Sequence, residues 1–347
     1  MTGVTEGVTN PSKVIIDPDG DLHLTVGESN PVTFLVCSKA LARASLVWKK
    51  LLYGGFAESV QPDRASGEEW IVKLPEDDPK AIEILLDIIH CRFDRVPTSV
   101  ALKPAPAVDR ALKWSDLYQL TVLTDKYDLT RSLEPWVGRW LKTVPPSGLK
   151  ADLFAWITWE LGDQPLFEVM VMNLILLCPI NPGGGLQFGT TKLFSNTLEP
   201  PGLSGFVESY RLEAIKKVLQ PFVDVVTELL QRKEDEAKRL CNFQGLPFGP
   251  GKADCEITML GVMIQSLSRV DLWPIPKPEE VTMSLNQLIS ILRRVDMRSR
   301  LPGHQCCALP NMGLALNNVP QSIKPQLTGF YQQHLKTQAS KSGLDRD

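Results

Sequence analysis

The sequence predicts an α+β fold, with a small sheet and helices in the N-terminal part and an all-α C-terminal part. Residues 22–26 alternate between apolar and polar side chains, a period of two that is typical of a half-buried strand. Apolar side chains in residues 38–52 recur at steps of three and four, which is typical of an amphipathic helix. Beyond Val144 the patterns are helical throughout. With 347 residues, the chain is long enough for two cores.

Proline and glycine residues set the predicted domain boundaries. The run Pro145-Pro146-Ser147-Gly148 interrupts the helical patterns and separates the two parts. We therefore expect a disordered N-terminal segment at 1–16, an N-terminal domain at 17–144, a helical domain at 149–336 and a frayed tail at 337–347. Within the helical domain, the Gly/Pro-rich stretch 179–205 is a long loop that is either partly disordered or functional.

The N-terminal domain begins with a predicted hairpin. Residues 22–26 and 33–36 are its strands, and glycines flank the first of them. The apolar pattern that follows predicts one helix or two short ones, which end at Gly54-Gly55. A third strand is predicted over 70–74, where Pro75 stops it.

Composition excludes several classes of protein. Hydrophobic residues at 43% and charged residues at 22% are near the averages of globular proteins, so we do not expect a disordered or fibrous chain. The net charge of −3 gives no reason to expect a nucleic-acid partner. The longest apolar run, 166–178, is too short to span a bilayer, so no membrane association is expected. Seven cysteines and no signal peptide predict a reducing intracellular compartment, either nucleus or cytoplasm.

Sequence motifs of catalysis do not fit this chain. Gly249-Pro250-Gly251-Lys252 resembles a phosphate-binding loop, but the spacing places Leu246 where the first glycine is required. Gly202-Leu203-Ser204-Gly205 lacks the spacing of a nucleophile elbow. We therefore expect a protein that is not an enzyme and has no catalytic or cofactor-binding residues.

One group of residues has the chemistry of a metal site. Cys241 and Cys255 flank a Gly/Pro-rich loop, while His304, Cys306 and Cys307 follow Pro302-Gly303. Three thiolates and an imidazole are typical ligands of a structural zinc ion, so Cys241, Cys255, His304 and Cys306 form the predicted ligand set. The chain has no C-x-x-C pair, and scattered reduced cysteines are the alternative interpretation.

The order of motifs over residues 17–140 resembles the BTB/POZ domain, and the whole chain is most similar to fungal BTB proteins with an uncharacterised helical C-terminal half. The positions that carry the resemblance are Asp21, Phe34, Leu41, Ser45, Trp48, Gly55, Phe56, Glu58, Ser59 and Tyr127. Where the family usually has a His-Lys pair, this chain has Cys37-Ser38, with Lys39 one position later.

The resemblance implies a protein–protein interaction adaptor. Its partner would be another protein, and the family suggests a cullin, which would make this chain a substrate adaptor of a ubiquitin ligase. Many dimeric relatives have an apolar helix before the first strand, whereas residues 1–13 here are polar. A monomer and a homodimer of different geometry both stay open.

A second functional hypothesis comes from the cysteines and the histidine. If they bind zinc, the C-terminal half would contain a zinc-stabilised module, and the chain would be a nuclear, transcription-associated regulator. The two hypotheses belong to different classes of function and differ in whether metal is required.

Overall fold

The computed structural model describes residues 12–62, 67–100, 111–142, 150–231, 240–241, 251–304, 307, 316 and 324–346. The chain divides into two compact units. The first comprises Met1–Ser147, Leu153–Phe167 and Leu327–Asp347, and the second comprises Gly148–Asp152 and Glu168–Gln326. The C-terminal residues therefore belong to the same unit as the N-terminal ones, whereas the sequence places 149–336 in one helical domain.

The first unit contains a four-stranded mixed sheet. Its strands are β1 (Ser12–Ile15), β2 (Leu22–Val26), β3 (Val32–Val36) and β4 (Ile71–Leu74), in the spatial order β1-β3-β2-β4. Strands β2 and β3 form the predicted antiparallel hairpin, with Leu24 opposite Phe34. Strand β1 pairs with β3, and β4 with β2, both in parallel. The alternation of side chains places Leu24, Phe34 and Val72 on one buried face.

Helices complete the first unit. They are α1 (Ser38–Ala44), α2 (Leu46–Tyr53), α3 (Pro79–Ile89), α4 (Trp114–Tyr127), α5 (Glu134–Leu141), α6 (Ala151–Leu161) and the C-terminal helix, α11 (Gly329–Ser342). The pattern over 38–52 is thus two short helices, because Ser45 adopts an extended conformation between them. Helix α3 starts with a capped turn, in which the Asp78 side chain accepts a hydrogen bond from the backbone N–H of Ala81 and Pro79 occupies the first helical position.

Both chain ends differ from the sequence-based expectation. The segment predicted to be disordered, 1–16, contains strand β1, while residues 1–11 lie outside the described residues. The predicted frayed tail, 337–347, is wrong as well, since α11 reaches Ser342 and a 3₁₀ turn follows at Leu344–Arg346. Gln338 and Ser342 in that tail are buried, and hydrogen bonds offset the cost of removing their polar groups from water. The low hydrophobicity of this segment therefore does not imply that it is exposed.

The second unit is mainly helical but not all-α. Its elements are most of α7 (Gln164–Leu177), then β5 (Gln187–Phe188), β6 (Thr191–Lys192), α8 (Leu203–Gln231), α9 (Lys252–Ser268) and α10 (Leu285–Leu292). The short antiparallel pair β5 and β6 lies within the loop 179–205, which also buries Leu186 and Leu193. That loop therefore has structure of its own. Helix α8 continues through Pro221.

A buried arginine connects three segments of the second unit. Arg211 on α8 is 1% exposed. Its guanidinium donates hydrogen bonds to the backbone carbonyls of Cys178 at 3.2 Å, Val281 at 2.8 Å and Met283 at 2.7 Å. Burial lowers the pKa of Arg211 from its ordinary value. Because unpaired carbonyls are costly in an apolar interior, these bonds hold α8 to residues 178 and 281–283.

Ser45 is the corresponding connection in the first unit. Its hydroxyl accepts hydrogen bonds from the backbone N–H groups of Val47 and Trp48, both at 3.1 Å, and donates one to the Tyr127 carbonyl at 2.6 Å. The Trp48 and Tyr127 rings stack with their centroids 4.6 Å apart. The Tyr127 hydroxyl donates to Asp77, and burial together with that bond raises the pKa of Tyr127 well above its usual range. One serine therefore caps α2 and fixes the end of α4.

We predict that Ser45→Ala lowers the free energy of unfolding of the first unit by about 1–3 kcal/mol, because it removes a helix cap and leaves a buried carbonyl without its donor. Urea unfolding followed by tryptophan fluorescence measures this change, since seven of the eight tryptophans belong to that unit. Ser290→Ala is the matched control, because the exposed Ser290 hydroxyl also donates to a backbone carbonyl. Equal stability of the two variants would contradict the assignment.

Candidate metal centre and interaction surface

Four metal-binding side chains meet in the second unit. One potential ligand atom from each of Cys241, Cys255, His304 and Cys307 lies within 4.8 Å of the others. Cys241 Sγ is 3.3 Å from His304 Nδ1 and 3.6 Å from Cys307 Sγ. All four residues are buried, with exposed fractions of at most 7%. We call this group the thiol–imidazole cluster.

Three separate segments position the cluster. Cys255 lies in the first turn of α9, where its backbone N–H donates to the Gly251 carbonyl. Next to Cys241, the Leu240 N–H donates to the buried side chain of Glu256 at 2.5 Å. These contacts bring a residue of the preceding loop to the beginning of α9.

Backbone hydrogen bonds connect the described residues of the third segment, which are 299–304 and 307. The N–H of His304 donates to the Leu301 carbonyl, and the N–H of Cys307 donates to the His304 carbonyl at 2.8 Å. Ser299 donates its own N–H to the Cys307 carbonyl, and its side-chain hydroxyl forms a hydrogen bond with the Cys255 thiol. Ser299 thus links two ligand-bearing segments, as groups behind metal ligands commonly do.

The surroundings of the cluster disfavour deprotonation of its cysteine thiols in the absence of a cation. Burial raises the pKa of the Cys255 thiol, and it raises the pKa of Cys307 to about 12, with the neighbouring thiols adding to the second shift. Thiolates packed this closely repel one another and have lost their hydration, so they require a compensating positive charge. A divalent cation would supply that charge.

The distances and donor types fit a tetrahedral ion. Zinc bound at 2.0–2.3 Å by sulfur and nitrogen ligands implies ligand-to-ligand distances of roughly 3.6–3.8 Å. The observed separations of 3.3 and 3.6 Å are close to this range, and the widest pair would move inward by about 1 Å. All of the described cysteines are free thiols. The structure therefore contains a site that could hold a metal, with Cys241, Cys255, His304 and Cys307 as ligands.

The sequence identifies three of these four residues. Its fourth predicted ligand, Cys306, lies outside the described residues, and the structure brings the adjacent Cys307 into the cluster instead. No periodic pattern surrounds the pair Cys306-Cys307, so nothing in the sequence distinguishes them. Ser299 was not predicted, because a single serine in a loop has no sequence signal.

The motif residues of the first unit fall into two groups. Buried positions form the core and the junctions; they are Phe34, Leu41, Ser45, Trp48 and Tyr127. Among the others, Asp21, Gly55, Phe56 and Glu58 are exposed and Ser59 is half-buried. The Asp21 carboxylate accepts hydrogen bonds from the backbone N–H and the hydroxyl of Ser38, at 2.8 and 2.7 Å. Asp21 and Ser38 therefore fix the start of α1.

The remaining feature is an exposed apolar and basic surface along α2 and the turn after it. Leu46 is 69% exposed, Tyr53 43%, Phe56 56% and Val60 73%. Leu46, Lys50 and Tyr53 are spaced by four and three residues, so they lie along one face of α2. The exposed cations Lys39, Arg43 and Lys49 flank this face, and the sequence has no acidic residue between positions 22 and 57 other than Glu28. We call these residues the α2 surface.

In comparisons with family models, curated proteins and solved structures, no match to this chain was found. Within the part of the chain that the structure describes, no helix combines the length and apolar character needed to cross a bilayer.

Proposed function

We propose that this protein is a protein–protein interaction adaptor whose N-terminal, BTB-like unit binds its partner through the α2 surface. The observation that carries the proposal is the exposure of Leu46, Tyr53, Phe56 and Val60 within 15 consecutive positions. Large apolar side chains clustered on a surface are typical of interaction sites, because binding removes them from water. The sequence order of motifs that resembles the BTB/POZ domain supports the same function.

The charge of the α2 surface indicates the chemistry of the partner. Exposed lysine and arginine side chains at positions 39, 43, 49 and 50 surround the apolar residues. A partner segment with acidic side chains around an apolar centre would be complementary to such a surface. The adaptor should therefore bind an acidic, amphipathic segment of another protein, and increasing ionic strength should slow their association.

We predict that Leu46→Ser combined with Phe56→Ser weakens binding of that partner at least about ten-fold, because apolar contacts near the centre of an interface contribute most of its affinity. The measurement is affinity purification with the intact chain, followed by titration of the purified partner against the variant. Ile257→Ser is the matched control, since Ile257 is also 69% exposed but lies on α9. A double variant that binds every captured protein as strongly as the unchanged chain would contradict the proposal.

The narrower form of this proposal is a substrate adaptor for a cullin-based ubiquitin ligase, which rests on the family resemblance alone. In that case a cullin is among the proteins that the intact chain captures, and the double variant loses it. Capture of other partners without a cullin would exclude the ligase and leave the adaptor.

A second candidate function is a regulator whose helical unit is stabilised by zinc, with nuclear transcription-associated activity as its narrowest form. The thiol–imidazole cluster favours it, because three cysteines and one histidine that leave no ligand position open are typical of structural zinc sites. Such an ion would join residues 240–241, 251–255, 299–304 and 307, and would contribute its binding free energy to folding. Zinc and the adaptor function are compatible, since they involve different residues.

We predict about one zinc ion per purified chain, with Cys307→Ser losing it and Cys306→Ser retaining it, because Cys241, Cys255, His304 and Cys307 already supply the four ligands of a tetrahedral ion. Elemental analysis measures the metal, and thermal unfolding with and without a chelator measures its contribution to stability. The two variants are matched, since both change one of two adjacent cysteines. If the unchanged chain is folded and free of zinc, the zinc proposal is wrong. If Cys306→Ser alone loses zinc, the ligand set is wrong.

A further inference from the structure

The C-terminal helix of the first unit, α11, is hydrogen-bonded to a fully buried carboxylate. Glu160 on α6 has no exposed surface. Its Oε1 accepts hydrogen bonds from the hydroxyls of Thr124 at 3.2 Å and Thr130 at 2.5 Å. Its Oε2 accepts one from the Gln338 side-chain amide at 2.6 Å, and that amide also donates to the Glu160 backbone carbonyl at 3.0 Å. Three segments that are remote in sequence therefore share one carboxylate.

The packing of α11 against α6 is close and largely polar. Gly162 has a φ of +77°, and a Cβ atom there would lie 2.1 Å from the Ala339 nitrogen, so only glycine is tolerated at this contact. The Ser342 hydroxyl donates to the Leu161 carbonyl at 2.7 Å. Of the four buried residues of α11, Gln338 and Ser342 are polar. The helix is thus held by hydrogen bonds as well as by apolar burial.

We propose that Glu160 is a pH-sensitive latch, which holds α11 firmly when the carboxyl group is protonated and weakens its attachment when the carboxyl group ionises. The ionised form lies in an interior without a matching cation, since none of the described Lys or Arg side chains forms an ion pair with Glu160. Hydrogen bonds from neutral hydroxyl and amide groups compensate only part of the lost hydration.

Burial raises the pKa of Glu160 to about 7, with Asp125 adding to the shift and the hydrogen bonds from Thr130, Thr124 and Gln338 opposing it. A carboxyl group whose pKa is higher when α11 is docked favours docking fully below its ordinary value near 4.5. That contribution decreases as the pH rises towards 7 and stays constant above it. The attachment of α11 should therefore weaken between about pH 4.5 and 7.

Other titratable groups near Glu160 also contribute to the pH dependence of α11. On α4, burial also raises the pKa of Asp125, which acts in the same direction as Glu160. On α11, burial lowers the pKa of His334, whose ring stacks on Trp159, so its protonation would loosen the helix in acid. The Lys341 ammonium pairs with the Asp128 carboxylate at 2.9 Å. Titration of Glu160 should therefore loosen α11 as the pH rises, whereas titration of His334 should loosen it as the pH falls. Experiment can separate the two.

The test is hydrogen exchange of the intact protein between pH 5 and 8, with the rates of residues 329–342 corrected for the intrinsic pH dependence of exchange. We expect the opening equilibrium of α11 to increase at least about ten-fold from pH 5 to pH 8. In Glu160→Gln the ten-fold increase should be lost, since an amide does not titrate, and only the opposing contributions of Asp125 and His334 remain. Opening that is constant, or that decreases with pH, would overturn the proposal, as would an unchanged pH profile in Glu160→Gln.

Two further variants keep the test decisive if Glu160→Gln does not fold. Thr130→Val removes a donor that favours the ionised carboxylate, so the midpoint of the profile should move to higher pH. Asp87→Asn is the matched control: Asp87 is also a buried acid of the first unit with a raised pKa, but it lies on α3 and pairs with Arg92, so the α11 profile should be unchanged. A Thr130→Val profile that coincides with that of the unchanged protein would contradict the latch.

Discussion

Both compact units depend on one constraint, which is that a polar group removed from water must find its hydrogen-bond partners inside the protein. In the first unit, the Glu160 carboxylate accepts hydrogen bonds from side chains of α4, of the turn after it and of α11. In the second unit, the Arg211 guanidinium donates hydrogen bonds to the backbone carbonyls of residues 178, 281 and 283. These groups specify contacts between segments up to 178 positions apart, which apolar burial alone would leave less defined.

The first unit separates the residues that maintain its fold from those available to a partner. Ser45, Trp48 and Tyr127 are buried. Tyr127 accepts a hydrogen bond from Ser45 and stacks on Trp48, so changes at these positions should lower stability. Leu46 and Phe56 are neighbours of the same motif in sequence but are exposed, so changes there leave the core intact. Such a division would allow the proposed binding surface to be altered without unfolding the unit that presents it. It also explains how a sequence motif can indicate a fold without indicating the partner.

Periodic segments could be predicted from the sequence, and non-periodic ones could not. The hairpin of β2 and β3 and the helical character of residues 38–52 were predicted correctly, because one face of each is apolar at a regular spacing, whereas the division into α1 and α2 was left open. Strand β1 and helix α11 were missed, since β1 is short and mostly exposed and α11 buries polar residues. A cluster that could hold a metal was predicted from residue chemistry, but nothing in the sequence favours Cys307 over Cys306 as its fourth member. Glu160 had no sequence signal, because its partners are remote along the chain.

The protonation of Glu160 tests most directly whether buried polar groups hold these segments together. Carbon-13 NMR of the intact protein, labelled at glutamate carboxyl groups and assigned with Glu160→Gln, gives the midpoint of its titration. A midpoint near 7 is predicted, as expected for a carboxyl group enclosed between α6 and α11. A midpoint near the ordinary glutamate value of 4.5 would show that Glu160 is hydrated, and would contradict the account.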